Sequence, residues 1–491
     1  MKSKITLYTL LALVLCNSAC KKALDLKQQG VYTSDNYFRN EVDAVNAVSG
    51  IYSLLEEEDY IGHAETTFDV PSDDYWRSGD HGEDEAIENL TYDASNAAIR
   101  YPYKWRYEEI NRSTNCIINI PKITAISADV KSRSMGEAYF LRAFGYWRLM
   151  VIHGDVPIIT EDDYTKQLFN VPKSPIEDVR KQIESDLKQA VSLLPESYGP
   201  TDRGRVSKGT ALGLLTKLYM YWEKFPEAIA TGQQVISNSH YALAANYQDN
   251  FTRANENSTE LLFSIQAVQN VVQNDFTVYY IPRPWGGYGF SQPLQGLADE
   301  FEANDSRKAA TLLSVGDQID IGDGKGLTTF TSDLSATGYV FRKYAVFNSA
   351  SAGGGVDHTF AVPLMRSADT YLLVAEALIR TQGVGAGDAL INQIRHRASP
   401  LLKPVAGAGM KELIHERRME LAGEGERHQD LMRWDKDKIV DIAAIYNLSV
   451  SKAPIDQSKN VIFIRPKNYY FPLPQVEIDK SKGVLIQNPN F

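Results

Sequence analysis

Met410-Lys411-Glu412-Leu413-Ile414-His415-Glu416-Arg417-Arg418-Met419-Glu420-Leu421-Ala422-Gly423-Glu424-Gly425-Glu426-Arg427-His428-Gln429-Asp430-Leu431-Met432-Arg433-Trp434 is the stretch that decides how this chain folds. Helical spacing sets Glu416, Glu420 and Glu424 on one face, interleaved with Arg417, Arg418, Arg427 and Arg433. Carboxylates placed among guanidiniums are expected to be ion-paired, which favours their charged form. A glycosidase needs an acid with a raised pKa to protonate its leaving group, so the block reads as a structural network. His415-Glu416 begins like a zinc-protease helix, yet Met419 stands where the second histidine ligand would fall.

Helical periodicity extends outward from this block. Upstream, residues 362–380 (Leu364, Ala368, Tyr371, Leu372, Ala375, Leu378) and 389–398 repeat apolar side chains at helical intervals. Gly383, Gly385 and Gly387 between them read as a helix-to-helix turn, because a dinucleotide loop would need a strand before them. Near the start, Val42, Val45, Val48, Ile51 and Leu54 predict one apolar helix face with Asp43 and Asn46 off it. In 136–152, Ala138, Leu141, Ala143, Phe144, Trp147 and Leu149 surround most of a helix, which predicts burial on several sides; His153-Gly154-Asp155-Val156-Pro157 stops it. Further helices are expected after Pro175, around 211–219, and from Pro226 onward. The unit at 206–243 approximates the tetratricopeptide pattern of about 34 residues. Residues 31–240 and 361–491 are therefore expected to form two parts of one scaffold of paired helices.

Between them, 241–360 is rich in Gly, Pro, Asn, Asp and Tyr, with short strand-like fragments at 261–265, 276–281 and 339–345 and a glycine turn at Gly353-Gly354-Gly355. It reads as a loop-rich insertion facing a ligand.

The first residues have another purpose. Lys2 and Lys4 precede an apolar run at 5–15, and Asn17-Ser18-Ala19-Cys20 has the small residues of a lipoprotein cleavage box. The run is far shorter than the roughly 20 residues of a spanning helix. Residues 1–19 are expected to be a signal peptide, Cys20 the lipidated residue, and 20–30 a polar tether. Each acyl methylene adds about 0.8 kcal/mol of membrane affinity, and more than one chain makes attachment lasting.

Cleavage would leave 472 of the 491 residues, beyond the roughly 250–300 at which one core stops growing, so more than one packed region is expected. The formal charge of −11 becomes −13 once Lys2 and Lys4 are gone, which argues against nucleic acid or anionic headgroups as partners. With Cys16 removed and Cys20 acylated, Cys116 stands alone and no intrachain disulfide forms; it reads as a small buried filler. No Gly-x-Ser-x-Gly elbow or phosphate loop is present, and no cofactor is called for.

The 410–434 block resembles the C-terminal signature of the SusD/RagB family, glycan- or nutrient-capturing lipoproteins of the Bacteroidetes outer membrane. Asn111 to Cys116 followed by Ile117 resembles its asparagine-containing second helix, and Glu137-Ala138-Tyr139-Phe140-Leu141-Arg142-Ala143-Phe144 with Gly154-Asp155-Val156-Pro157 resembles its internal motif. Tyr469 to Pro474 and Gln487-Asn488-Pro489 are similar to its closing segment. The resemblance implies a mainly α fold: a tetratricopeptide-like helical-pair scaffold with a loop-rich, small-strand insertion. It further implies a lid on a SusC-like TonB-dependent barrel that binds and does not cleave. Lys21 and Lys22 depart from the acidic residues that often follow the cysteine in surface-exposed members.

Sugars offer apolar C–H faces and a rim of hydroxyls, so a glycan site needs exposed aromatics flanked by polar groups. Two segments have that mixture: Asp73, Asp74, Tyr75, Trp76 and Arg77, and the run from Tyr279 through Tyr280, Arg283 and Trp285 to Tyr288. The resemblance puts both where family members build their ligand surface. Trp76 is equally well read as packing under its loop, and Trp105, Trp147, Trp222 and Trp434 as core. Trp285→Ala is expected to weaken glycan binding by about 2 kcal/mol with the fold intact. Asp73 with Asp74, or Asp299 with Asp305, suit calcium or solvent equally, and no metal site is assigned. The expected function is a lipid-anchored, exterior-facing outer-membrane protein that captures an oligosaccharide and delivers it to the barrel. The alternatives are a surface glycoside hydrolase, a peptide-binding uptake lipoprotein, and a structural partner of the barrel without affinity of its own.

Overall fold

Small and large residues alternate around the helix Ala128–His153: Gly136, Ala138, Ala143 and Gly145 admit neighbouring helices, and Phe140, Leu141, Phe144 and Trp147 fill the spaces between. Gly154, at φ +75, ends it by donating to the Met150 carbonyl. A computed structural model describes residues 37–57, 68–77, 79, 81–267, 274–348, 355–450 and 461–491. The leader 1–19, Cys20, the tether to residue 30, and Gly353 and Gly354 lie outside the described residues.

From this spine the helices stack sideways. Ala97–Asn119 packs on one side and Ile176–Leu193 on the other, followed by Lys208–Tyr221 and Phe225–Ile236. Phe225–Ile236 then lies directly on Ser367–Gln382, so the scaffold resumes across the insertion. A Cβ at Gly232 would come within 2.3 Å of Val374 Cγ2, which is why glycine stands at this crossing. Ser367–Gln382 turns through Gly383 (φ +95) and Gly385 (φ +87) into Asp388–Ala398. The fold is mainly α, as expected, with small two-stranded sheets.

Several expected elements differ. The first helix, Glu41–Tyr52, buries Asp43, Ala44, Val48 and Ile51, while Val42 is 64 % exposed. A strict three-residue spacing drifts off the true 3.6 period, and Asp43 is turned inward beside Arg39, at 3.2 Å. Residues 362–366 are strand rather than helix: Val362–Arg366 pairs antiparallel with Leu261–Ile265, closing the insertion at its base. The fragment 276–281 is a tight turn at Thr277–Tyr279, and 339–345 splits into strand Tyr339–Phe341 and turn Arg342–Tyr344. The 410–434 block is two helices, Met410–Leu421 and Arg427–Lys436, separated where Gly423 (φ +85) and Gly425 (φ +79) take up left-handed backbone. Glu424 therefore lies beyond the helix that carries Glu416 and Glu420.

One large apolar cluster draws on scaffold and insertion alike, including Ala44, Phe140, Leu214, Phe263, Phe341 and Leu473. Separate clusters form around Ile99, Trp434 and Phe471, and around Leu372, Ile391 and Leu413. Trp147 and Trp434 are core, Trp105 and Trp222 partly so. Cys116 is buried and unbonded, and burial pushes its thiol up to about 12. Among the described residues no helix is long and apolar enough to cross a membrane.

Candidate functional site

The two segments singled out for ligand contact are more than two hundred residues apart, and a strand ladder joins them. Tyr75–Arg77 pairs antiparallel with Ser291–Pro293, with Tyr75 opposite Pro293, Trp76 opposite Gln292 and Arg77 opposite Ser291. Just before the second strand the chain folds back: the Tyr288 N–H donates to the Val278 carbonyl at 2.6 Å, and Gly286 (φ +93) and Gly289 (φ +64) shape the return. A Cβ at Gly287 would sit 2.1 Å from the Ile281 carbonyl oxygen, so this approach requires glycine. The fold-back lifts Tyr288 to 42 % exposure.

Tyr288 stands edge-on to Tyr279 at 5.7 Å and tilted over Phe290 at 5.2 Å. Arg77 lies over Phe290 from behind, 4.1 Å from the ring centre. Exposed Arg283 donates to the Tyr288 carbonyl at 3.4 Å, and the exposed His81 ring meets Phe290 at 5.2 Å. These side chains form a ridge: a phenol face on a buried aromatic base, rimmed by a guanidinium and an imidazole. Nothing in the sequence signalled Phe290, two residues beyond Tyr288, or His81, which the pairing of Tyr75–Arg77 with Ser291–Pro293 brings to the ridge.

The remaining candidates are interior, which corrects the expectation that both segments expose their aromatics. Asp73 holds Arg427 at 2.7 and 2.9 Å and Arg418 at 3.0 Å; Asp74 accepts from Arg418 at 2.7 Å. Burial opposes ionisation of Asp73, but the two guanidiniums outweigh it and hold the carboxyl far below its usual range. Tyr75 packs on Phe341 (4.9 Å), Trp76 is buried, and Arg77 forms a buried pair with Asp84. Tyr280 is buried against Tyr344 at 4.5 Å. Trp285 is 8 % exposed, wedged against Phe330 (5.8 Å) and Phe347 (6.0 Å). An extended segment in a loop usually shows one face to water, but here Tyr75–Arg77 is covered on both. Of the nine candidates, Arg283 and Tyr288 reach the surface. Asp305 pairs with Arg307 at 2.8 Å and Asp299 accepts from Gln295 at 2.7 Å. Among the described residues no group of three His, Cys, Asp or Glu is placed to hold a metal.

The signature glutamates are ion-paired, but not with the arginines interleaved among them. Glu416 takes Arg307 (2.6 Å) and Arg395 (2.8 Å), Glu420 takes Arg366 (2.9 Å) and Arg397, and Glu424 takes Lys343 and Arg366, both at 2.7 Å. The interleaved arginines point elsewhere: Arg417 to Asp369 and Asp430, Arg418 and Arg427 to the 73–74 loop, Arg433 to Glu376 and Asp430. Neighbours on a helix diverge by about 100°, so adjacent acid and base serve different faces. The network fastens the ridge's underside to the scaffold.

The family model described as SusD family matches residues 230–491. This chain belongs to the SusD family. A second model, described as starch-binding associating with outer membrane, matches residues 24–220. SusD-like protein P2 of Formosa agariphila is 25 % identical over 528 residues, covering 100 % of both chains, and SusD-like protein P25 of the same organism is 24 % identical over 466 residues, covering 85 % of this chain and 87 % of its own. Among solved structures, a laminarin binding SusD-like protein is similar with a TM-score of 0.76 at 24 % identity, across 92 % of this chain and 100 % of that one. Surface glycan-binding protein A from Bacteroides thetaiotaomicron in complex with laminarihexaose gives 0.77 at 22 %, across 91 % and 99 %. At these identities the likeness establishes the SusD fold.

Proposed function

We propose that this SusD-family chain is a non-catalytic receptor for an oligosaccharide at the outer-membrane surface. The observation that carries this reading is the Tyr288 ridge, whose phenol face suits the C–H face of a pyranose while Arg283 and His81 offer hydrogen bonds to hydroxyls. The laminarin and laminarihexaose named for two structural relatives favour a linear glucan as ligand class. The signature acids are engaged by arginine and lysine, an arrangement that suits a scaffold better than a general acid. Acylation at Cys20 tethers the protein to the outer membrane facing the exterior, and bound glycan passes to a SusC-like TonB-dependent barrel.

Calorimetric titration of the mature chain with laminarihexaose and other linear glycans tests the reading. Tyr288→Ala is expected to cost about 2 kcal/mol of affinity, the scale of an aromatic anchor. Equal affinity in the variant would remove the ridge as the site. Release of shorter sugars during incubation would point to the glycosidase instead, and saturable binding of peptides without glycans to the peptide carrier. Cys20→Ser is expected to move the protein from the membrane to the soluble fraction, and co-purification with an outer-membrane barrel tests delivery.

A further inference from the structure

Gln292 lies behind the ridge and is 6 % exposed. Its backbone sits in the ladder opposite Trp76, so the strand pairing fixes where its side chain starts. From there Nε2 donates to the Gly289 carbonyl at 2.9 Å, and Oε1 receives the Ser335 hydroxyl at 2.9 Å and the Thr337 N–H at 3.3 Å. These partners decide which end of the amide is which, because a carbonyl only accepts and a backbone N–H only donates. Turning the amide over would set acceptor against acceptor and donor against donor.

The partners belong to segments with different duties. Gly289 (φ +64) is the turn directly after Tyr288. Ser335 and Thr337 are buried and lead into the strand Tyr339–Phe341, which pairs with Leu312–Ser314. Gln292 therefore ties the turn that lifts Tyr288 into water to a second sheet of the insertion, while the Tyr288 N–H holds the other side of the fold-back on the Val278 carbonyl. Burying an amide costs free energy unless its ends are hydrogen-bonded, and an apolar side chain would fill this space without that demand. A bonded polar group in the interior singles out one arrangement of the segments around it.

We infer that Gln292 is a positioning residue for glycan binding: it does not meet the sugar, and through the Gly289 carbonyl it holds Tyr288 in the raised position on which a pyranose stacks. The inference rests on the ridge being the site. Without the clamp the raised position is populated only part of the time, and the apparent affinity falls by that fraction. Gln292→Met keeps the side-chain volume and removes the hydrogen bonds. The full mature chain, Gln292→Met, Tyr288→Ala and Leu187→Ala are compared by hydrogen–deuterium exchange and by titration with laminarihexaose. Leu187, buried in the scaffold helix Ile176–Leu193, is the control for lost stability alone. In Gln292→Met the Tyr288 amide is expected to exchange about tenfold faster and laminarihexaose to bind about tenfold more weakly, while Leu187→Ala changes neither. Unchanged exchange at Tyr288, or faster exchange with full affinity, overturns the positioning role; the ridge still stands if Tyr288→Ala binds weakly. Equal losses in Leu187→Ala and Gln292→Met assign the effect to stability and overturn it too. Full affinity in Tyr288→Ala removes the ridge and this inference together. Failure of laminarihexaose to bind the unaltered chain overturns the inference as well, while the ridge is then judged on other glycans.

Discussion

Exchanging Trp285 for alanine is expected to act on stability rather than on ligand affinity. The indole fills space between Phe330 and Phe347, and emptying such a site costs about 3–5 kcal/mol. Urea denaturation measures it; an unchanged midpoint together with lost affinity would return Trp285 to the ligand surface. Gly287→Ala is expected to weaken glycan binding as much as Tyr288→Ala does, because its Cβ would meet the Ile281 carbonyl at 2.1 Å and push the fold-back that carries Tyr288 out of place. Titration of this variant beside Tyr288→Ala decides it. Residue type and loop context nominated Trp285 and Tyr288 alike. Burial separates them, and burial depends on what the rest of the chain lays over each ring.

Among the elements, the helix Met410–Leu421 meets the end of Gln295–Glu300 through His415. Its Nδ1 faces Glu300 at 3.0 Å and its Nε2 faces Glu302 at 3.2 Å. The hydrogen bond to Glu300, against the opposing effect of burial, raises the imidazole pKa above its ordinary value, with Glu416 and Glu302 adding to the rise. A raised folded-state pKa means the clamp contributes in full below about pH 6.5, the unfolded value, and fades as pH climbs through the folded one. The unfolding midpoint is therefore expected to fall, as pH rises above about 6.5, more steeply in the natural protein than in His415→Gln. Superimposable pH profiles would show that the clamp contributes nothing. Helical periodicity located this helix without difficulty, but the strand at Val362–Arg366 was hidden because Leu364, four residues before Ala368, continues the helical repeat of the segment that follows. Its pairing with Leu261–Ile265 makes it strand instead.

At the level of the whole molecule, buried ion pairs hold insertion, loop and scaffold together. Burial opposes the charge on Glu420, yet Arg397, Arg366 and Arg307 outweigh it and lower its pKa to about 2. Its depressed value makes that stabilisation complete above the ordinary carboxylate pKa and lost as pH falls toward 2. Acid unfolding is expected within this window, and Glu420→Gln should flatten that limb while costing about 3–5 kcal/mol at neutral pH by leaving guanidiniums uncompensated. Circular dichroism during acid titration of both proteins reads the difference; identical acid limbs would sink it. The helical character of the scaffold and the ionic character of the signature block were legible in the sequence, because periodicity and charge are local properties written along the chain. Which arginine meets which glutamate, which aromatic stays in water, and the union of residues 75–77 with 291–293 were decided only by tertiary structure, since each depends on contacts between segments far apart in sequence.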